Sequence, residues 1–344
     1  MRFFKLSFVF LFIYFLQSCE TKMHGVVFPS SEPGICEMID TIFIGVPLNM
    51  GVCKNDLFVG DFREPMIVHY NLMDGKTERF LSAGRGPKET LPPVILYANP
   101  LGNNVLYRYS KQAFDLGYYP VDSLFVYVPL LNNLSYVFQN IIPYEKDCYL
   151  AVGEFVDGYR YHILDAEGKV IDKFGDYPDF LAGEDLIPFD ARSMFHQVEF
   201  ANNYNKRKLV ASSSHIMDII DYSSNIKNES IKRILLAPYD YDYSSGNFLS
   251  AHAKNGIVTG SVSVACNNSY IFLLFYPWRI GQKNQSVKDE IWVFDWDGKP
   301  VKKISYDINL TMIAADPSES EFVYGLAYYG NRNDEYYQIV RIKF

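Results

Sequence analysis

The chain has 344 residues, 32 Lys and Arg against 40 Asp and Glu for a formal net charge of −8, and a hydrophobic content of 49%, ample for a large core. An acidic balance argues against nucleic acid as a partner, because affinity for it comes mainly from Lys and Arg on phosphates. Aromatics make up 16%, with 27 Tyr and 26 Phe, a composition that suits pleated, half-buried strands better than exposed helices.

In chain order, the first feature is Arg2 and Lys5, an apolar run from Leu6 to Leu16, and the small Ser18 before Cys19. Charge, apolar run and small residue read as a secretory signal. The run is too short to span a bilayer core, which needs about 20 residues. Leu16-Gln17-Ser18-Cys19 resembles a bacterial lipobox, which implies cleavage before Cys19 and acylation of that residue. After it, Glu20 to Gly34 holds Pro29, Pro33 and the pair Ser30-Ser31, a composition expected of a flexible tether. The expected plan is a leader at 1–18, a tether at 19–34 and a single domain at 35–344.

From Pro47 onward the sequence parses into groups of short strands, at 48–82, 93–130, 136–175, 196–236 and 256–307, each with four strands, and at 310–344 with three. The clearest unit is Ile291 to Tyr306, where an alternating run meets Asp297-Gly298 and returns as a second run, a strong hairpin signal. Related hairpins start at Tyr70 and Tyr161. Four-stranded sheets repeating every 40 to 50 residues or so predict an all-β, six-bladed β-propeller. The last group lacks a strand, and Ile35 to Ile44 is a strand without a group. A ring must close or leave exposed edges, so this segment is predicted to pair beside Tyr336–Phe344 as the outer strand of blade six. No long window sustains a helical period.

Cys36, Cys53, Cys148 and Cys266 remain after the leader. An oxidising compartment permits disulfides among them, with three possible pairings, while their wide spacing favours separate buried strand cysteines. No pair has the spacing of metal ligands, and neither a metal nor a cofactor is expected.

The lipobox-like Leu16–Cys19, the sequence DLFVGDF at Asp56–Phe62 followed by the Asp74-Gly75 hairpin, and the glycine-rich Gly84-Arg85-Gly86-Pro87-Lys88-Glu89 together resemble the TolB-like six-bladed propeller lipoproteins of Bacteroidetes. The glycine-rich stretch looks like that family's GxGPxE pattern, with Lys88 where Gly is common. The resemblance spans essentially the whole chain. It implies the fold and a place in the cell envelope, and it carries no assigned reaction.

In a propeller, turns between second and third strands and connections from fourth strands to the next blade share one face. The longest connections, Gly84–Pro92, Gly175–Phe195, Ala237–Asn255 and Trp278–Asp289, all fall there by this parity, and long loops in compact domains tend to carry function. The candidate binding residues are Arg85 between glycines, the alternating Tyr239, Asp240, Tyr241 and Asp242, and Trp278 with Arg279 as a stacking platform. The histidines show neither HxH nor HExxH spacing, and no Gly-x-Ser-x-Gly elbow occurs. The leading expectation is an acylated outer-membrane propeller, held to the membrane through Cys19, that binds an envelope protein or glycan without chemistry of its own. The alternative is a carbohydrate hydrolase or lyase drawing carboxylates from 175–195 and 237–255, for example Asp185 with Asp240.

Overall fold

The computed structural model describes residues 24–86, 89–132, 134, 138–153, 157–227, 230–245, 249–282, 287–319, 321–331 and 334–344. The leader, the expected acylation site Cys19 and the motif residues Pro87 and Lys88 lie outside the described residues.

Each blade is a chain-ordered antiparallel meander. Blade one is Pro47–Cys53, Asp56–Asp61, Ile67–Asn71 and Thr77–Phe80; blade two is Val94–Ala98, Val105–Ser110, Asp115–Pro120 and Val128–Leu131. Blade three is Phe138–Glu145, Cys148–Gly153, Tyr159–Leu164 and Val170–Asp176; blade four is Glu199–Asn203, Lys208–Ser212, Ile216–Asp221 and Ile231–Leu235. Blade five holds Val258–Cys266, Tyr270–Arg279, Glu290–Asp295 and Pro300–Ser305, and blade six Leu310–Ala314, Phe322–Asn331 and Asp334–Lys343. The chain is an all-β, six-bladed propeller.

The recurring hairpin has a local cause. Asp295 turns its carboxylate back to accept the backbone N–H groups of Asp297 (2.9 Å) and Lys299 (2.8 Å). Asp165 does the same for Glu167 (3.1 Å) and Lys169 (2.9 Å). Such side-chain turns compete well with regular structure. Gly298 sits at φ +69°, a conformation that glycine adopts without strain, and a Cβ there would lie 2.4 Å from the end of the Ile234 side chain of the neighbouring blade and push it aside.

Second strands are buried on both faces, which explains runs such as Ile271-Phe272-Leu273-Leu274-Phe275, all 2% exposed or less. The core is accordingly a set of apolar layers between consecutive blades. Phe272 and Ile291 belong to the layer between blades five and six, and Leu57 and Leu326 to that between six and one. Each such side chain contributes about 1.5–3 kcal/mol relative to an exposed one. Polar bonds cross the same seams: Asn140 Nδ2 donates to Val198 O at 3.1 Å, Ser212 Oγ to Ser261 Oγ at 3.1 Å, and the Lys54 N–H to Asp316 at 2.7 Å.

The closing strand forms as expected. Ile35–Ile42 pairs antiparallel with the last strand, from Ile35 opposite Lys343 to Ile42 opposite Tyr337, and Ile42 and Ile44 are buried at 4% and 3% exposure. The stretch expected as a tether differs in its described part. Ser31–Pro33 adds a parallel strand to the outer edge of blade five, Ser31 opposite Lys303. Phe28 packs on Trp292 at 4.9 Å between ring centroids, and the Val26 N–H bonds Leu236 O at 3.1 Å. Two prolines did not prevent docking, because Pro33 lies on an outermost strand, where its missing N–H removes no ladder bond.

Three further differences are local. The outer strand of blade two starts at Val128 rather than Ser123, after a single 3-10 turn at Val121–Ser123. The 237–255 connection contains a hairpin, Tyr241–Ser245 with Leu249–Ala253, and the 175–195 connection a short helix, Phe189–Phe195. Cys53 and Cys266 are buried and Cys148 is half-buried, but Cys36 is exposed on the closing strand; all four are free thiols.

Candidate functional site

Strand directions alternate within every blade, so all four long connections share a face with the closing turn at 43–46. The two longest connections pack on each other: the helix Phe189–Phe195 touches both strands of the hairpin. Phe195 stacks on Tyr241 with ring centroids 3.9 Å apart and planes 11° from parallel.

Their junction is organised by Glu184, which is fully buried. One carboxylate oxygen accepts from His196 Nε2 (2.7 Å) and the Tyr241 hydroxyl (3.2 Å); the other accepts from the Tyr239 hydroxyl and the Leu181 N–H (3.2 Å). Burial raises the acid's pKa, but these donors outweigh it and hold the carboxyl below its ordinary value. Burial pulls His196 down to about 4, against the partial support of Glu184. The pair is thus a carboxylate receiving an N–H from a neutral imidazole.

This corrects the expected role of two candidates. Tyr239 and Tyr241 are 1% and 3% exposed, and their hydroxyls are committed to Glu184, so neither offers a ring to a ligand. Alternation along the extended segment turns Asp240 and Asp242 the other way, to Lys254 Nζ at 2.8 and 3.8 Å. In the carboxylate-pair reading, Asp185 is exposed and Asp240 is bonded to that lysine.

Arg85 is exposed. The flanking glycines make room for Glu89, not for a partner: a Cβ on Gly84 would lie 2.0 Å from the Glu89 carboxylate, which also accepts the Gly86 N–H at 2.8 Å. Trp278 keeps part of its ring at the surface. It is 39% exposed and stacks on Tyr276 at 4.8 Å, 18° from parallel. Arg279 Nη1 donates to Gly256 O at 2.7 Å, fixing the end of the protruding hairpin. Beneath it, burial pushes the Asp289 carboxyl up to about 6, although its own N–H and the Trp278 side chain favour the charged form.

The axis of the ring is the second feature of this face, and no sequence motif announced it. Cavities of about 270 Å³ and about 310 Å³ open among the starts of the inner strands and share Leu48, Asn49, Glu199 and Ser263. Toward the opposite face lies a smaller cavity of about 80 Å³, lined by Gly51, Ala98, Cys266 and Ala314 among others. Glu199 is exposed to the water of this channel, and the protein around it pushes its carboxyl up to about 7, an effect that the Val264 N–H only partly offsets. Gln139, 8% exposed in the same wall, has a side-chain nitrogen without an acceptor. Alternation offers the one usable sequence signal for these residues, since every second side chain of an innermost strand faces the axis. Among the described residues, no group of three His, Cys, Asp or Glu side chains is placed to hold a metal ion.

A family model described as "TolB-like 6-blade propeller-like" matches residues 27–318. Two solved Bacteroides structures share the fold. A Bacteroides fragilis protein described as exported superposes with a TM-score of 0.53 at 12% identity, covering 92% of this chain and 99% of its own. A member of the DUF4221 family from Bacteroides vulgatus gives 0.51 at 11% identity, covering 94% and 99%. Among curated proteins none matches the chain in sequence.

Proposed function

The chain belongs to the TolB-like 6-blade propeller-like family, and from that premise we propose that it is a lipid-anchored cell-envelope module that docks a protein partner through its long-loop face, without chemistry of its own. One observation carries the reading. Large apolar side chains are exposed in the connections of that face from every blade, among them Phe62, Phe114, Tyr159, Phe189, Trp278 and Tyr336. Among the described residues, the connections of the opposite face expose fewer, namely Met73, Phe125, Val126 and Tyr204. Exposed aromatics spread around a broad surface are the usual anchors of protein interfaces, whereas a glycan site concentrates them in one cleft.

The envelope location rests on the signal-like N-terminus, the lipobox-like Leu16–Cys19 and the export described for the Bacteroides fragilis neighbour. Cys19 would then carry the lipid, and Cys19→Ser should move the protein from the membrane to the soluble fraction. A glycan in place of the protein remains the competing ligand.

The docking test places a photo-crosslinking amino acid at Trp278 or Phe189, and at Met73 or Tyr204 on the other face, in cells producing the full chain. A discrete adduct from the first pair alone is the expected result. Equal adducts from both faces, or none from either, would remove the proposal. A glycan that raises the melting temperature in a Trp278-dependent way would replace the protein with a sugar as ligand; at 100 times its Kd it adds about 2.7 kcal/mol.

A further inference from the structure

We propose that the cleft in the seam between blades one and two binds a small, uncharged, ring-bearing molecule with one carbonyl oxygen, its ring against aromatic walls and its oxygen on Arg108. This goes beyond the docking surface and does not rest on it.

The cleft holds a cavity of about 430 Å³, within the usual range for small-ligand sites, about 300–1,000 Å³. Phe80 of blade one and Tyr119, Phe125 and Tyr127 of blade two line it, with the exposed Glu89 at its edge. Phe80 meets Tyr119 edge-on at 5.4 Å between ring centroids and Phe125 at 5.8 Å, in the range where aromatic pairs attract. Phe125 nonetheless remains 62% exposed. A further ring entering the cavity would cover it and extend the same packing.

Arg108 supplies the polar end. It is 1% exposed and held on one side only. Its Nη2 donates to the Asp115 carboxylate and, at 2.7 Å, to the Tyr127 hydroxyl, which donates in turn to the same Asp115 oxygen at 3.3 Å. The guanidinium carbon lies 4.3 Å over the Tyr127 ring, and that ring fills the space a Cβ on Gly117 would take. Held this way, Arg108 Nη1 makes no hydrogen bond among the described residues, yet it is not sealed from solvent. It is the accessible corner of a side chain that lines the cavity. The Tyr119 hydroxyl, in the same wall, is likewise open and without a partner among the described residues.

Charge decides what meets that corner. Asp115 already balances Arg108, and Glu89 adds a negative charge at the edge, so an anion gains no net partner. A cation would be set against the guanidinium. A hydrocarbon would strip water from Nη1 and return no acceptor, which is costly. An uncharged carbonyl replaces that water bond without adding charge.

The test uses benzophenone, itself an uncharged ring ketone that crosslinks under light, in lysate of cells producing the full chain, with adducts on the purified chain mapped by mass spectrometry. Saturable labelling among the residues that line the cavity is expected. Acetophenone should displace it at a concentration about tenfold or more below that of ethylbenzene or benzoate, as a hydrogen bond from a charged donor implies. Phe125→Ala, which removes an exposed ring, should weaken acetophenone by about tenfold. Arg108→Lys keeps a charge for Asp115 but loses Nη1, and should erase the ketone's advantage over ethylbenzene. The proposal fails if labelling does not saturate or falls elsewhere, if ethylbenzene or benzoate matches acetophenone, or if either variant behaves as wild type. The three-probe comparison on the unmodified chain decides the matter even where Arg108→Lys does not fold. Trp278→Ala and Phe189→Ala should leave displacement unchanged, so failure of the docking surface and failure of the cleft give different results.

Discussion

Arg160 of blade three and Asp218 of blade four, both buried, meet at 2.9 Å across the seam between their blades. Asp218 also accepts from the Tyr161 hydroxyl at 2.7 Å and from Arg233 Nε at 2.8 Å. Burial raises its pKa, but Arg160 and Arg233 outweigh that and hold it below the ordinary value. Removing one partner of such a network strands the other charges, so Asp218→Asn should cost about 3–5 kcal/mol in urea unfolding. A depressed folded pKa means that this stability is present above the unfolded value, about 3.9, and is lost as pH falls through the lower folded one. Unchanged stability in the variant would show that Arg160 and Arg233 find other acceptors.

His196 acts at milder pH. Its folded value of about 4 lies below the ordinary 6.5, so the unfolded chain takes up a proton first. The neutral buried imidazole therefore contributes stability that is full above pH 6.5 and is lost progressively as pH falls toward 4, up to about 3 kcal/mol. Burial lowers His162 and His215 as well, adding to the same trend. Unfolding free energies at pH 7.5, 6 and 5 should show this decline, and His196→Gln, which keeps an N–H for Glu184, should flatten it.

Truncation separates the two N-terminal strands. A chain starting at Ile35 loses the parallel strand and Phe28 but keeps the ring closed, so its melting temperature should fall modestly. One starting at Gly45 loses Ile42 and Ile44 from the layer between blades six and one, where each truncated side chain is worth about 2–5 kcal/mol. It should lose cooperative unfolding. Equal melting of the two chains would show that the strand is not what closes the ring.

The thiols offer a chemical ruler. Burial pushes Cys53 up to about 11 and Cys266 up to about 12, and thiols react as thiolates. Maleimide should label exposed Cys36 first in the native protein, and reach Cys53 and Cys266 only on denaturation. Native labelling of Cys266 at the rate of Cys36 would contradict its burial.

The blades are legible because their turns carry local signals: the Asp295 carboxylate caps N–H groups of its own hairpin, and a strand without a group can be matched to a group without a strand. The candidate site was less so. The composition of Tyr239, Asp240, Tyr241 and Asp242 suggests a displayed loop, yet strict alternation is itself the mark of a strand with two unlike faces. Here it sends the rings inward to Glu184 and the acids outward to Lys254. Glu184 and His196 were invisible because their meeting depends on how one connection folds back on itself beneath another. Glu199 and Gln139 stand on different blades, and only the radius of the closed ring brings them to one cavity.

Residues 24–34 run along the outside of blades four and five before the chain enters the closing strand. A lipid on Cys19, as proposed above, would join the ring through this segment at its circumference rather than at the hub. Tension on the anchor would be borne in series: by the Val26–Leu236 bond, then Phe28 against Trp292, then the three short pairings at Ser31–Pro33. Only after these have peeled would load reach Ile35–Ile42, so the outer wrap acts as a mechanical fuse that spares the ring.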